Sequence, residues 1–265
     1  MDLGLTGCRA VVTGGTRGLG LVIARVLAEE GVSVAILGRS TEAVASAAAA
    51  LGAGGAAVYG VAADVTDDAA LAQAGMEAIE RLGGVDVLVN NAALPASYAG
   101  RAGVMDFDDR AVIDDFNTKA IGYLRMIRAV APSMRAQGHG RIVNIGGLAA
   151  RATGFLATSM RNAAVVAMTK NAADELGPFG ITVNSLHPGV VPTDEARTRW
   201  ATEAGRDGRT LQEIEAALAA QYAAQRLMEP VEVARIVAFL ASPLCRAISG
   251  ESIACAGSVL GPISY

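Results

Sequence analysis

The sequence predicts a single α/β domain: one parallel sheet, doubly wound by helices on both faces. Three observations point there. Short β-branched runs alternate with longer Ala/Leu-rich stretches of helical spacing. The runs are apolar throughout rather than alternating, as strands buried on both faces must be, and the chain is 52% hydrophobic with a mean hydropathy of +0.38. A glycine-rich turn joins the first run to the first helical stretch. A length of 265 residues suffices for one such domain, and no linker or repeat divides it.

Val11-Val12-Thr13 ends the first strand, and Gly18–Glu30 follows as a helix. Val32–Leu37 is the second strand and Thr41–Leu51 an alanine-rich helix. Ala57–Ala62 and Val85–Asn90 are the third and fourth strands, with a helix from Asp67 to Leu82 between them. Helices cover Asp108–Gln137, and the fifth strand is Arg141–Ile145. A helix through Ser159–Leu176 leads to the sixth strand, Ile181–Leu186. This alternation with short turns calls for parallel pairing and right-handed crossovers. Val190 to Met228 breaks the rhythm, being charged and without strand character, with an amphipathic piece at Leu211–Gln225. Following the C-terminal end of a strand, the segment overlies the edge where doubly wound sheets bind ligands, so a substrate lid over 190–228 is expected. A solvated surface excursion is the alternative.

The net charge of −4 comes from 22 basic and 26 acidic residues spread along the chain, with no basic block to attract nucleic acid. No apolar run reaches the roughly 18 residues of a membrane span. Met1–Gly7 has neither the basic nor the apolar stretch of a secretory signal, so a cytoplasmic location is expected. Cys8, Cys245 and Cys255 lack metal-ligand spacing and are expected to be buried or incidental thiols. With only His139 and His187, no metal site is predicted.

Thr13-Gly14-Gly15-Thr16-Arg17-Gly18-Leu19-Gly20 follows an apolar strand directly and opens a helix. Gly14, Gly18 and Gly20 permit a tight turn and let backbone N–H groups, including those around Thr16, Arg17 and Leu19, approach a pyrophosphate. The positive end of the helix then faces that anion. Placed at the first strand–helix junction, the turn marks a Rossmann-type dinucleotide site.

With this turn and the motifs that follow it, the chain resembles the short-chain dehydrogenase/reductase family almost end to end. Asp64-Val65 follows the third strand and Asn90-Asn91-Ala92-Ala93 the fourth; Asn117 lies in a long helix. Val143-Asn144-Ile145 forms the fifth strand, and His187-Pro188-Gly189-Val190-Val191-Pro192-Thr193 follows the sixth. Glu229–Ala234 and Phe239–Pro243 look like the family's closing helix, and Ser249-Gly250-Glu251 leads into its last strand. The resemblance implies that Asp64 and Val65 hold the adenine edge and that Asn91, Ala92 and Ala93 line the ribose. It also implies that Pro188, Gly189, Val191 and Thr193 grip the nicotinamide carboxamide. Ala93 stands where the family most often has glycine, which narrows the channel slightly. A homo-oligomer, tetramer or dimer, is implied as well.

At the end of the second strand an acidic residue would hydrogen-bond the adenosine ribose and repel a 2′-phosphate. This chain reads Gly38-Arg39-Ser40 there. Arg39 and Arg17 both suit a phosphate, so NADP(H) is favoured over NAD(H).

Family members carry a serine after the fifth strand, then a tyrosine and, four residues on, a lysine. The tyrosine passes the proton, the lysine binds the ribose and lowers the phenol pKa, and the serine orients the carbonyl. Here the strand ends Ile145-Gly146-Gly147. Matching the next helix puts Thr158 in the tyrosine slot and Asn162 in the lysine slot; counting forward from Gly147 gives Met160 and Ala164 instead. No tyrosine occurs between Tyr123 and Tyr222 and no lysine between Lys119 and Lys170. Asn162 retains a hydrogen bond for the ribose and Thr158 a hydroxyl; Asn117 matches a family residue that supports a proton relay. Tyr98, His187 and Tyr222 are candidate replacement acids. The leading expectation is an NADP(H)-dependent oxidoreductase of a small, apolar carbonyl or alcohol. A dehydratase, isomerase or cyclase on the same fold, or a non-enzymatic dinucleotide-binding protein, stays open beside it.

Overall fold

The computed structural model describes residues 2–95, 104–105 and 107–260. Its strands are β1 (Arg9–Thr13), β2 (Ser33–Gly38), β3 (Val58–Ala62), β4 (Val87–Asn90), β5 (Gly140–Ile145), β6 (Ile181–Pro188) and β7 (Ser252–Cys255). They form one sheet in the order β3-β2-β1-β4-β5-β6-β7, and every neighbouring pair runs parallel. The order reverses between β1 and β4, which sets a crevice at their C-terminal ends.

The helices α1 (Gly18–Glu29), α2 (Thr41–Gly52) and α3 (Asp68–Leu82) follow the first three strands. After β4 come α4 (Asp109–Phe116), a π-helical turn at Asn117–Ile121 and α5 (Gly122–Gln137). α6 (Leu156–Leu176), α7 (Asp194–Arg206), α8 (Leu211–Ala219) and α9 (Pro230–Ala241) complete the set.

Alternate strand residues feed two buried clusters. Val12, Ile36, Val89 and Val143 pack with Ile23 and Leu27 of α1 and Val237 of α9. Val11, Leu37, Leu88 and Ile142 pack on the other face with Leu71 of α3 and Met126 and Val130 of α5. Each fully buried side chain of this size contributes about 1.5–3 kcal/mol of transfer free energy. Both faces are apolar, so the strands show no polar alternation.

Three sequence expectations are corrected in detail. The long helix expected to hold Asn117 is instead broken there by a π-turn between α4 and α5, and the sixth strand runs on through His187 and Pro188. The amphipathic piece at Leu211–Gln225 is helical only to Ala219, because the chain then turns to set Tyr222 against Val259. The charged stretch before it contains α7, whose first turn is capped by Thr193 Oγ1 accepting from Ala196 N at 3.2 Å. That Ser/Thr-capped start, followed by Asp194 and Glu195 in the first turn, was the sequence signal for a helix there.

Candidate active site

A cleft of about 810 Å³ opens at the C-terminal ends of β1, β2, β3 and β4. Its floor is the phosphate turn. Gly14 adopts φ +64°, and a Cβ on Gly20 would lie 2.1 Å from the Gly14 carbonyl oxygen, so only glycine lets the helix start this close to the strand. α1 begins at Arg17 without a side-chain cap, whereas Ser40, Asp67 and Thr210 cap α2, α3 and α8. The first N–H groups of α1 therefore face the cleft without a side-chain acceptor, as an anion site requires.

The turn is held from β4. Asn91 Nδ2 donates to the carbonyls of Thr13 and Gly14, both at 3.2 Å, and Thr13 Oγ1 accepts from Asn91 N and Ala92 N at 2.9 and 3.1 Å. Asn91 thus lines the cleft while its amide braces the turn. Thr13, 1% exposed, ends the first strand and opens the turn as the sequence predicts; its bracing of Asn91 and Ala92 depends on β4 packing beside it.

At the far end, Gly38 closes β2 with Arg39 and Ser40 exposed beyond it. Arg17 and Arg39 line this end of the cleft, and neither guanidinium has a partner among the described residues. Ser40 Oγ accepts from Ala43 N at 3.2 Å and caps α2. Asp64 Oδ1 accepts from Thr66 N and Oγ1, which fixes the Asp64-Val65 turn on the cleft wall. Ala92, Ala93, Thr16, Gly18, Leu19, Val191 and Thr193 complete the wall. Glu195 in the first turn of α7 faces the phosphate turn, because a Cβ on Gly18 would lie 3.4 Å from its Oε2.

The residues present fit a nicotinamide dinucleotide: a glycine cradle a Cβ would fill, an uncapped helix start and two unpaired arginines at one end. When bound, such a cofactor supplies the hydride or receives it. The α1 N-terminus and the Gly14–Gly20 turn would hold its pyrophosphate.

The inner end is closed. Thr158, Asn162, Val165 and Thr169 form one buried stripe of α6, with Thr158 7% and Asn162 1% exposed. Met160 turns outward at 47%, so of the two possible registers only Thr158 and Asn162 both face inward. A Cβ on Gly147 would lie 3.0 Å from Asn162 Nδ2, while Asn162 Oδ1 is buried without a partner among the described residues. Asn117 Oδ1 accepts from Arg125 Nη1 at 2.8 Å and lines the cleft from the π-turn.

His187 is 2% exposed. Its Nδ1 lies 3.1 Å from both the N and O of Gly147, and its Nε2 is 2.9 Å from Ser185 Oγ. Burial drives its pKa down to about 4, so the ring is neutral at neutral pH. Tyr222 accepts from Val190 N at 2.8 Å and packs on Gly189, bracing the loop that follows β6. Tyr98 lies outside the described residues.

Three groups at this end escaped the sequence reading. Arg161 forms a buried ion pair with Asp115 and donates to Leu94 O at 3.3 Å; Lys119 donates to Gly146 O at 3.0 Å. Lys119 is one of two lysines in the chain, set four residues before the buried Tyr123, and that spacing placed it on the inward face of the helix.

A parallel sheet with its crevice at the β1/β4 reversal and a glycine cradle opening α1 defines a dinucleotide-binding α/β protein. The family model described as enoyl-(acyl carrier protein) reductase matches residues 14–257. Among curated relatives, the short-chain reductase protein NovJ of Streptomyces niveus is 33% identical over 248 residues, 92% of this chain and 90% of that protein. The L-sorbose reductase of Gluconobacter frateurii, solved with NADPH and L-sorbose, superposes with a TM-score of 0.93 at 26% identity, covering 99% of this chain and 100% of that one. An NAD⁺-bound xylitol dehydrogenase superposes at 0.86 with 26% identity, covering 96% of this chain and 99% of that one. The chain belongs to the short-chain dehydrogenase/reductase family. Among the described residues no helix is long and apolar enough to cross a membrane, and no group of three or more His, Cys, Asp or Glu residues is placed to hold a metal ion.

Proposed function

We propose that the protein is an NADP(H)-dependent oxidoreductase of a small, apolar carbonyl or alcohol, with Thr158 and Asn162 in the slots that the family gives to tyrosine and lysine. One observation carries the cofactor choice: Arg17 and Arg39 line the cleft with no partner among the described residues, and Gly38 leaves no carboxylate at the end of β2 to repel a 2′-phosphate. The L-sorbose reductase solved with NADPH supports the same choice. The pyrophosphate is held by the Gly14–Gly20 turn and the α1 N-terminus, the adenine by Asp64 and Val65, and the ribose by Asn91, Ala92 and Ala93. Pro188, Gly189, Val191 and Thr193 hold the nicotinamide carboxamide. Asn162 gives the nicotinamide ribose a hydrogen bond without charge, and Thr158 offers the substrate oxygen a hydroxyl that is a far weaker acid than a phenol. The working protein is a cytoplasmic homo-oligomer, tetramer or dimer, with 190–228 as its lid.

Titration with NADPH and NADH tests the cofactor, and NADPH consumption against ketones and aldehydes tests the reaction, which is expected to be slow on simple ketones because Thr158 is so weak an acid. NADPH binds more tightly in the unmodified protein, and Gly38→Asp reverses the order by weakening NADPH about tenfold or more through charge repulsion. A Cβ at position 38 meets Thr16 Cγ2 at 2.8 Å, a methyl that can rotate away, so the variant folds. Equal affinities for the two cofactors in the unmodified protein overturn the assignment.

A further inference from the structure

The π-turn carries Lys119 into the interior, where it is 4% exposed. Its Nζ donates to Gly146 O at 3.0 Å, with the Tyr123 ring centroid 6.0 Å away. No carboxylate lies within ion-pair distance of it among the described residues, since Asp115 is engaged by Arg161. A buried ammonium with one carbonyl partner is expensive to desolvate and keeps two further N–H groups to direct elsewhere. Packing alone would be better served by a leucine or methionine.

The carbonyl it holds lies beside Asn162 and the start of the Pro188-Gly189 loop, the residues that the proposed function places at the nicotinamide. Gly146 and Gly147 follow β5; Gly146 N donates to Leu186 O at 2.7 Å, and His187 contacts Gly147 just before Pro188-Gly189. Asn162, nine-tenths buried with an unpartnered Oδ1, meets Gly147 from the opposite side. Lys119, His187 and Asn162 therefore close on one dipeptide, and neither His187 nor Asn162 is a cation.

We propose that Lys119 is a specificity-determining residue for the redox state of the cofactor: its ammonium, anchored on the Gly146–Gly147 peptide, sets a positive field at the nicotinamide end that favours the uncharged reduced ring over the cationic oxidised one. The proposal rests on the dinucleotide reading of the cleft.

The charged and titratable groups that face Lys119 come from α4, α5, α6 and β6. Arg161 of α6 is paired with Asp115. Asp115 of α4, although burial raises its pKa, is held by that arginine. Burial pushes the Tyr123 phenol of α5 well up, and His187 of β6 is neutral. Burial first, then Arg161, outweigh Asp115 and bring the Lys119 pKa down to about 7. Its charge is therefore largely present at pH 6 and largely gone at pH 8.5.

The test is the ratio of the dissociation constants of NADP⁺ and NADPH, measured by titration at both pH values. The 2′-phosphate is common to both ligands and cancels. The ratio is expected to be roughly three- to tenfold larger at pH 6 than at pH 8.5, the size of one screened like-charge interaction. Lys119→Met holds the ratio at its high-pH value throughout, and Lys119→Arg holds it at the low-pH value. A flat ratio in the unmodified protein, or an unchanged pH response in Lys119→Met, overturns the proposal while leaving dinucleotide binding intact. Should Lys119→Met fail to fold, the unmodified protein and Lys119→Arg decide. If neither nucleotide binds at either pH, the dinucleotide reading falls and this proposal falls with it.

Discussion

At the phosphate end of the cleft, where β1 meets α1, and on to the end of β2, the donors are unclaimed and the cavity is open: α1 has no side-chain cap, and Arg17 and Arg39 have no partners among the described residues. At the inner end, where β5 meets α6, almost every group is buried: Asn162, His187, Lys119 and Arg161 are all 4% exposed or less. The first region is shaped by what glycine permits, the second by which polar side chains fill a closed space. Backbone cradles tolerate little change, because a single methyl on Gly20 would strike Gly14 O. A packed polar interior can be refilled with different side chains while the fold around it persists. In the proposed function, binding and proton handling are carried by different kinds of structure within one site.

The largest test of that contrast is to rebuild the inner end. A positioned proton donor contributes about 10²–10⁴-fold to rates of this type. Thr158→Tyr with Asn162→Lys is expected to raise NADPH-dependent ketone reduction toward that range, and by more than either change alone. Asn162→Lys by itself adds a third cation beside Arg161 and Lys119 and should lower the melting temperature with little gain in rate. Robust reduction of simple ketones by the unmodified protein would break the contrast, and His187, Tyr222 and Tyr98 would be the substitutions to examine next.

The phosphate end calls for the opposite experiment. Gly20→Ala forces the α1 start away from Gly14 and Asn91, at a cost of about 1–3 kcal/mol of stability by overpacking. The same displacement separates the N–H groups from the pyrophosphate, so NADPH affinity should fall on the order of 100-fold, equivalent to about 2.8 kcal/mol. Calorimetric titration and thermal unfolding read the two effects separately. Unchanged affinity would mean that the cradle is not the anion site.

The contrast also governed what could be read from the residues alone. The strands, the glycine turn and the Gly38-Arg39 end of β2 were legible because each depends on local rules: apolar runs, glycine spacing, the residue at a strand's end. Lys119 and the Arg161–Asp115 pair were not, because their meaning depends on helix-to-strand packing that no single segment encodes. Asn117 was read as part of one long helix, but the π-turn that begins there carries Lys119 to the Gly146 carbonyl. The tyrosine and lysine slots could be aligned two ways in sequence; Thr158 and Asn162 are buried in the fold, whereas Met160 of the other register is exposed.

The smallest expected effect lies between the two regions, in the proposed lid. α7 and α8 are tied to each other and to the start of α9 by Arg197, which pairs with Glu215 at 2.9 Å and Glu229 at 3.1 Å. Val191, Thr193 and Ala196 from this segment line the cofactor cleft, so cofactor binding has to engage it. Glu195, however, holds a carboxylate against the phosphate turn, where a pyrophosphate would meet it as a like charge. Exposed side chains at this distance repel only modestly and are screened by salt. Glu195→Gln is therefore expected to tighten NADPH about two- to fivefold at low ionic strength and less at high salt. Adenosine 2′-monophosphate, which has no phosphate on its 5′ oxygen, should bind both forms equally. In the unmodified protein, NADPH should slow hydrogen exchange across α7 and α8 more than in β4 and β5, since the helices must settle around the ligand while the sheet is already ordered. An unaltered exchange pattern over 190–228 would return that segment to a surface excursion, even if Glu195→Gln shifts the affinity as expected.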